Sequence, residues 1–199
     1  MLHRIREAMK TDPIVTRMSN TTVAADETYI GGAEKNKHAD KRNPANFGRH
    51  SDSKTPVFTL IDANTGEARS AVVPNVTGAT LRAEILKNVD PNGSRLATDK
   101  WAGYIPVGRE FAKHIRVDHE RGQYTIDGQG TNLCENFFGQ LKRSIDGTHH
   151  RVSAEHLPRY LAEFDFRYTT RKESDTERFE RLMGQVGGKR LTYKRITDA

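Results

Sequence analysis

The sequence predicts an α/β domain, a mixed sheet flanked by helices with a helical C-terminal part. Three observations predict it. Short runs rich in Thr, Val, Ile and Tyr end at Gly, Pro or Asn, as half-buried strands do. A stretch with apolar residues at helical spacing, around Leu81–Val89, separates one strand pair from the strands that follow. The last third of the chain carries helical periodicity almost throughout. The order is strand, hairpin, helix, strand, strand, then helices, which describes a layered mixed domain rather than a regular βαβ repeat.

Each element has a local reason. Residues 1–12 read as a short helix, with Leu2, Ile5 and Met9 on one face, Arg4, Arg6 and Lys10 on others, and Asp12-Pro13 as its stop. Residues 21–30 (TTVAADETYI) read as a strand closed by Gly31-Gly32. A run of 22 residues without period, 33–54, follows, and loops of that length are usually functional or disordered. Residues 57–62 and 68–73 flank Asn64-Thr65-Gly66, a hairpin turn signal. Leu81, Ile85, Leu86 and Val89 mark a helix stopped by Asp90-Pro91-Asn92-Gly93. Residues 94–98 form a short strand arriving at Asp99, and 114–117 form another. Helices follow at 132–144, at about 153–168 with Leu157, Tyr160, Leu161, Phe164 and Tyr168 on one face, and from the capping box Ser174-x-x-Glu177 through Phe179, Leu182, Met183 and Val186. The tail from 189 reads as a strand or an arm.

Composition narrows the function classes. The 199 residues suit one domain with a small appendage. With 32 basic and 26 acidic side chains, the formal charge is +6, which favours a polyanionic partner such as nucleic acid. One cysteine, Cys134, makes neither an internal disulfide nor a cysteine zinc site. No apolar run approaches the roughly 18 residues that span a bilayer, and the N-terminus lacks a secretory pattern. The expectation is a soluble intracellular protein with no membrane partner.

Three carboxylates stand where chemistry is plausible. Asp26 lies inside a strand pattern that disfavours Asp. Asp99 ends a strand just before Lys100-Trp101, and Glu135 lies in the first turn of a helix. Carboxylates gathered from separate elements suit Mg²⁺, and two such ions about 3.5–4 Å apart assist phosphodiester chemistry. Structural readings compete: Glu135 as the capping-box partner of Asn132, Asp99 as a turn residue, Asp26 as an ion-pair partner. Among 26 acidic residues, spacing alone does not join these three. Lys142, seven residues after Glu135, lies about 20° round the same helix, placed to meet a phosphate beside a metal, or simply solvated.

Three segments carry a family resemblance: ADETYIGG (25–32), TDKWAGY (98–104) and the long TNLCENFFGQLKRSIDGTHHRVSAEHLPRYLAEFDFRY (131–168). Together the chain resembles the ISXO-like transposases of bacterial insertion sequences, members of the DDE superfamily, over roughly residues 15–172. The resemblance implies an RNase H-like catalytic domain at 21–172, preceded by a residual helix and linker at 1–20 and followed by a C-terminal helix and tail at 173–199. It implies that Asp26, Asp99 and Glu135 are the catalytic, metal-holding acids, with two Mg²⁺ (or Mn²⁺) ions as cofactors. Lys142 matches the basic residue seven positions after the Glu. The implied partner is DNA, both insertion-sequence ends and target, with self-association on it, in the bacterial cytoplasm with the nucleoid. The family usually carries an N-terminal DNA-recognition region, and the expectation from the resemblance is that MLHRIREAMKTD is the tail of such a region, otherwise lacking here. Lys100 and Gly130 stand where the resemblance leads one to expect an acidic or polar residue and a histidine.

Other positions stay open between two readings. Lys35, Lys37, Lys41, Arg42 and Arg49 either track a DNA backbone or belong to a solvated loop. Lys142-Arg143 extends the basic set on the helix. Trp101 either stacks on an unpaired base or plugs the core. His119 lies near the metals in the family pattern or on the surface, and Asn132 borders Glu135. The remaining histidines lack the usual four-ligand zinc pattern. The main function expected is metal-dependent DNA cleavage and strand transfer; the rivals are an RNase H-like nuclease and an inactive DNA-binding remnant.

Overall fold

A computed structural model describes residues 2–11, 16–32, 38–42, 54–118, 125, 130–150 and 152–189. Its centre is a five-stranded mixed sheet of order β3-β2-β1-β4-β5. The strands are β1 (Thr22–Ile30), β2 (Thr55–Asp62), β3 (Ala68–Val72), β4 (Arg95–Thr98) and β5 (Lys113–Arg116). β1, β2 and β3 form an antiparallel meander, while β4 runs parallel to β1 and β5 parallel to β4. The expected hairpin is present. Asp62 Oδ1 accepts from the amides of Asn64 and Thr65, and Gly66 takes φ 77°, a conformation that suits a residue without Cβ. The mixed sheet flanked by helices that the sequence predicts is therefore the observed architecture.

Strand alternation sends side chains into two layers. Val23, Ala25, Phe58, Leu60 and Leu96 face α2 (Gly78–Asn88) and α3 (Ile105–Gly108), meeting Leu81, Ile85, Tyr104 and Val107. Ala24, Val57, Ile61 and Ala68 face α4 (Asn132–Ser144) and α5 (Leu157–Thr169), meeting Phe137, Leu141, Leu157 and Leu161. Each fully buried side chain of this size contributes roughly 1.5–3 kcal/mol. Because both faces of β1 are covered, its first half reads as an unbroken apolar run rather than an alternating one.

Several elements depart from their predicted form. The N-terminal helix α1 (Leu2–Ala8) buries Arg6 and Ala8, leaving Leu2 66% exposed. The reason is its partner: α5 offers Glu163, which accepts from Arg6 Nε at 2.7 Å, and the Tyr160 ring, 3.8 Å from the guanidinium carbon. The inward face of α1 is thus cationic. The helix predicted from 153 begins at Leu157, after a turn at 154–156. A 3₁₀ turn at Ala102–Tyr104 and the short α3 were not predicted, being too short for periodicity to mark. The capping box of α6 (Asp175–Gln185) is present on Ser174 and Glu177, but this helix buries no residue. Its predicted apolar face is outward, with Phe179 62% and Met183 54% exposed. The tail from 190 lies outside the described residues.

Candidate active site

The site is built where the pairing of two central strands ends. β1 and β4 pair in parallel with Ala24 opposite Ala97. Two residues further along each strand stand Asp26 and Asp99, which alternation places on the same face as Ala24 and Ala97. Neighbouring strands lie about 4.8 Å apart, so the two carboxylates belong to one neighbourhood. That face is the one covered by α4. Thr59, the cross-strand partner of Asp26, presents its carbonyl to Cys134 Sγ at 3.9 Å. Cys134 is fully buried and anchors the first turn of α4, so the next residue, Glu135, stands exposed at the rim beside Asp26. Leu141, Phe137 and Phe138 continue the inward stripe that fixes the helix against the sheet.

Electrostatics report the same neighbourhood. Asp26 has its carboxyl pushed up to about 8, first by burial, then by Glu27, with Asp99 and Glu135 adding to it. A bond from the Glu27 amide at 2.8 Å opposes the shift only in part. Among the described residues, no cation pairs with Asp26. The Cys134 thiol is raised well above its usual range by burial, with Asp26 and Glu135 contributing, which keeps it protonated and unreactive.

The competing structural readings can now be weighed against geometry. Thr131, not Asn132, caps α4, and it makes no side-chain cap bond, so Glu135 is not the capping-box partner of Asn132. Asp99 does serve its turn: Oδ1 accepts from the Trp101 amide at 2.9 Å. That bond also orients the carboxylate. Among the described residues, no three His, Cys, Asp or Glu side chains converge closely enough to hold a metal ion as they stand. Crowded like charges repel, and a cation would supply the compensating charge.

Lys142 and Arg143 are exposed on the last turns of α4, and Asn132 is exposed at its start. Arg42 is exposed beside the 3₁₀ turn Ala39–Lys41. Lys35, Lys37, Arg49 and His119 lie outside the described residues. Trp101 is not a core plug: it is 37% exposed and packs edge-on against Tyr104, centroids 5.6 Å apart. Its six-membered ring also covers Gly103, where a Cβ would come within 2.0 Å. Lys100 pairs with buried Asp118 and so bridges the ends of β4 and β5. Its departure from the expected residue thus has a structural use.

Sequence reading missed two residues here. Tyr104, fully buried, donates its hydroxyl to Glu27 Oε2 at 2.5 Å. Glu27 adjoins Asp26 on β1 but faces the opposite layer, and Tyr104 closes the turn that follows Asp99. The bond therefore ties the segment carrying Asp99 to the strand carrying Asp26. Burial and Glu27 raise the Tyr104 hydroxyl well above its usual range. An available signal was the second acid beside Asp26, since two consecutive acids in a central strand leave one to be neutralised in each layer.

A mixed sheet with Asp26 and Asp99 on one face, and Glu135 on the helix that covers that face, defines an α/β domain with a cluster of acids beside its central strands. The sequence matches the model of the ISXO2-like transposase domain over residues 18–169, and the chain belongs to that transposase family. Among curated proteins, none matches this sequence. Among solved structures, a chain of the simian T-cell lymphotropic virus intasome in complex with the PP2A regulatory subunit B56 gamma is similar, with a TM-score of 0.46 and 12% identity. The match covers 77% of this chain and 50% of that one, so the chain spans about half the length of that solved relative. Among the described residues, no helix is long and apolar enough to cross a membrane.

Proposed function

We propose that this chain is an RNase H-like transposase core that cleaves and joins DNA strands at insertion-sequence ends, using Asp26, Asp99 and Glu135. The observation that carries the reading is that Asp26 and Asp99 share the sheet face covered by α4, whose Glu135 acts electrostatically on the half-buried Asp26, which no cation pairs with among the described residues. The donor set fits Mg²⁺ or Mn²⁺: hard oxygens from three separate elements, with excess negative charge. A pair of such ions, when bound, activates an attacking oxygen and stabilises the leaving one.

The protein's own residues do the rest. Asp26, Asp99 and Glu135 would hold these ions, Asp26 from within β1, Asp99 from the end of β4 and Glu135 from the first turn of α4. The Tyr104–Glu27 bond holds the Asp99 turn in register with β1. Lys142, two turns along α4 from Glu135, is placed for the phosphate next to the reacting one. In the first step a water oxygen attacks phosphorus, the bond to the 3′ oxygen breaks, and a 3′-OH leaves. In the second, that hydroxyl attacks a target phosphodiester and displaces its 3′ oxygen. Neither step requires ATP or a covalent protein intermediate. The partners are DNA ends, target DNA and further copies of the chain assembled on DNA, in the bacterial cytoplasm.

Asp26→Asn is expected to abolish Mg²⁺- or Mn²⁺-dependent cleavage while DNA binding survives. Cleavage at the wild-type rate by this variant overturns the assignment. A pre-cleaved end with a free 3′-OH separates transposase from nuclease, since only the former yields joined product. Binding without any metal-dependent cleavage by the wild-type chain identifies an inactive remnant.

A further inference from the structure

A second site lies on the opposite flank of α4. A pocket of about 350 Å³ opens between α4, α5 and the start of α6. Arg167, Arg171 and Arg178 line it together with Phe164 and Tyr168, and no carboxylate is among its described lining residues. The three guanidinium groups are only partly engaged. Arg167 makes one long contact with Glu163, at 3.4 Å, and its side chain is 66% exposed. Arg171 stacks over the Tyr168 ring at 4.2 Å and donates through Nη1 to the carbonyls of Gly66 and Tyr168. Arg178 donates through Nε to the Thr170 carbonyl and through Nη1 to Asp175, itself fully solvated. Each guanidinium carries five N–H donors, so donors remain on all three. Guanidinium groups above aromatic rings suit a phosphate with a base beside it.

Among the described residues, exposed side chains of α4 line a route from the acids to this pocket. Around α4, Asn136, Arg143 and Gln140 follow Glu135 at about 80–140°, and the pocket lies beyond them. These side chains and Gly139 are exposed, and a Cβ at Gly139 would meet nothing within 4 Å. The crossing is about one helix diameter, roughly 10–12 Å, or a few nucleotide steps of a strand. Exposed positions along it are polar or basic.

We infer that the Arg167–Arg171–Arg178 pocket is a second binding site for a DNA strand, taking a phosphodiester and its base a few nucleotides from the one at the acids. The inference rests on the reading of the chain as a DNA-processing enzyme, but it is tested by binding alone. Binding of a fluorescent oligonucleotide with a frayed end is measured by anisotropy in the full chain across a salt series. Removing two phosphate contacts with Arg167→Gln/Arg178→Gln is expected to lower affinity and reduce the log–log salt slope by about two. Arg82→Gln/Arg109→Gln removes the same charge from the α2–α3 side, where both arginines are exposed, and is expected to leave the slope unchanged. Arg167→Gln alone, at a solvated position, guards against misfolding and is expected to reduce the slope by about one. Equal losses in the pocket and control pairs, or no loss in the pocket pair, overturn the inference. Asp26→Asn is expected to lose metal-dependent cleavage while keeping the wild-type salt slope, so the slope tests the pocket and cleavage tests the acids, and failure of one reading is distinguishable from failure of the other.

Discussion

Replacing Asp26 by Asn is expected to stabilise the metal-free protein while destroying its chemistry. In the folded chain the carboxyl sits near pKa 8, against 3.8 for an unperturbed aspartate. Below pH 3.8 both folded and unfolded forms are protonated, and the site costs nothing. As pH rises from there towards 8, the unfolded chain releases the proton and the native state keeps it. Stability therefore falls, by up to about 1.4 kcal/mol per pH unit, and levels off above the folded pKa. At pH 7 the accumulated penalty has a ceiling of roughly 4 kcal/mol. Asp26 keeps partial solvent contact, so water and side-chain relaxation reduce this to roughly 1–3 kcal/mol. The asparagine variant carries no such penalty. Urea unfolding of both proteins in EDTA, at intervals between pH 5 and 8, isolates the residue in the difference between the two curves. That difference should widen with pH. Mg²⁺ or Mn²⁺ should raise the wild-type midpoint and leave the variant nearly unmoved. Parallel curves, or a variant less stable at pH 7, refute the electrostatic account of the site.

Three further outcomes are expected. Tyr104→Phe removes the hydroxyl that donates to Glu27, costing about 1–3 kcal/mol in unfolding experiments, and lowers the cleavage rate at saturating DNA more than it weakens DNA binding. Phe137→Ala, which empties a buried position between α4 and Tyr168, costs about 3–5 kcal/mol by denaturant melts and displaces Glu135 with its helix. Ser174→Ala dissolves the capping box at a local cost of about 1 kcal/mol, visible as faster amide exchange within α6. The global melting temperature should hardly change there, because that helix buries no residue.

The fold class and the three acids were legible in the sequence for different reasons. Strand runs and helical periodicity are local, and the hairpin at Asn64–Gly66 and the capping box at Ser174 are written in consecutive residues. Asp26, Asp99 and Glu135 stood out singly by placement, yet their association came from a motif resemblance; the parallel register of β1 with β4 then supplied a physical reason for two of them. Arg6 deceived because an arginine buried against Glu163 and Tyr160 looks, in sequence, like any solvated helix residue. Tyr104 and Glu27 escaped notice because their bond joins residues 77 apart across the sheet. The outward apolar face of α6 escaped too, since periodicity tells which residues share a side but not whether anything covers it.

The parallel pairing of β1 with β4 also sets when the proposed site can form. An antiparallel neighbour of β1 would form from a short turn, but a parallel one needs a crossover, and here the crossover includes β2, β3 and α2. Asp26 meets Asp99 only after that whole segment has folded, and Glu135 follows 36 residues later in the chain. A ribosome-bound or proteolysed fragment ending before α4 would carry strands and some basic surface, but not the full set of acids. On the proposed reading, cutting is confined to a chain folded through α4, a safeguard written into strand order rather than into a separate inhibitor.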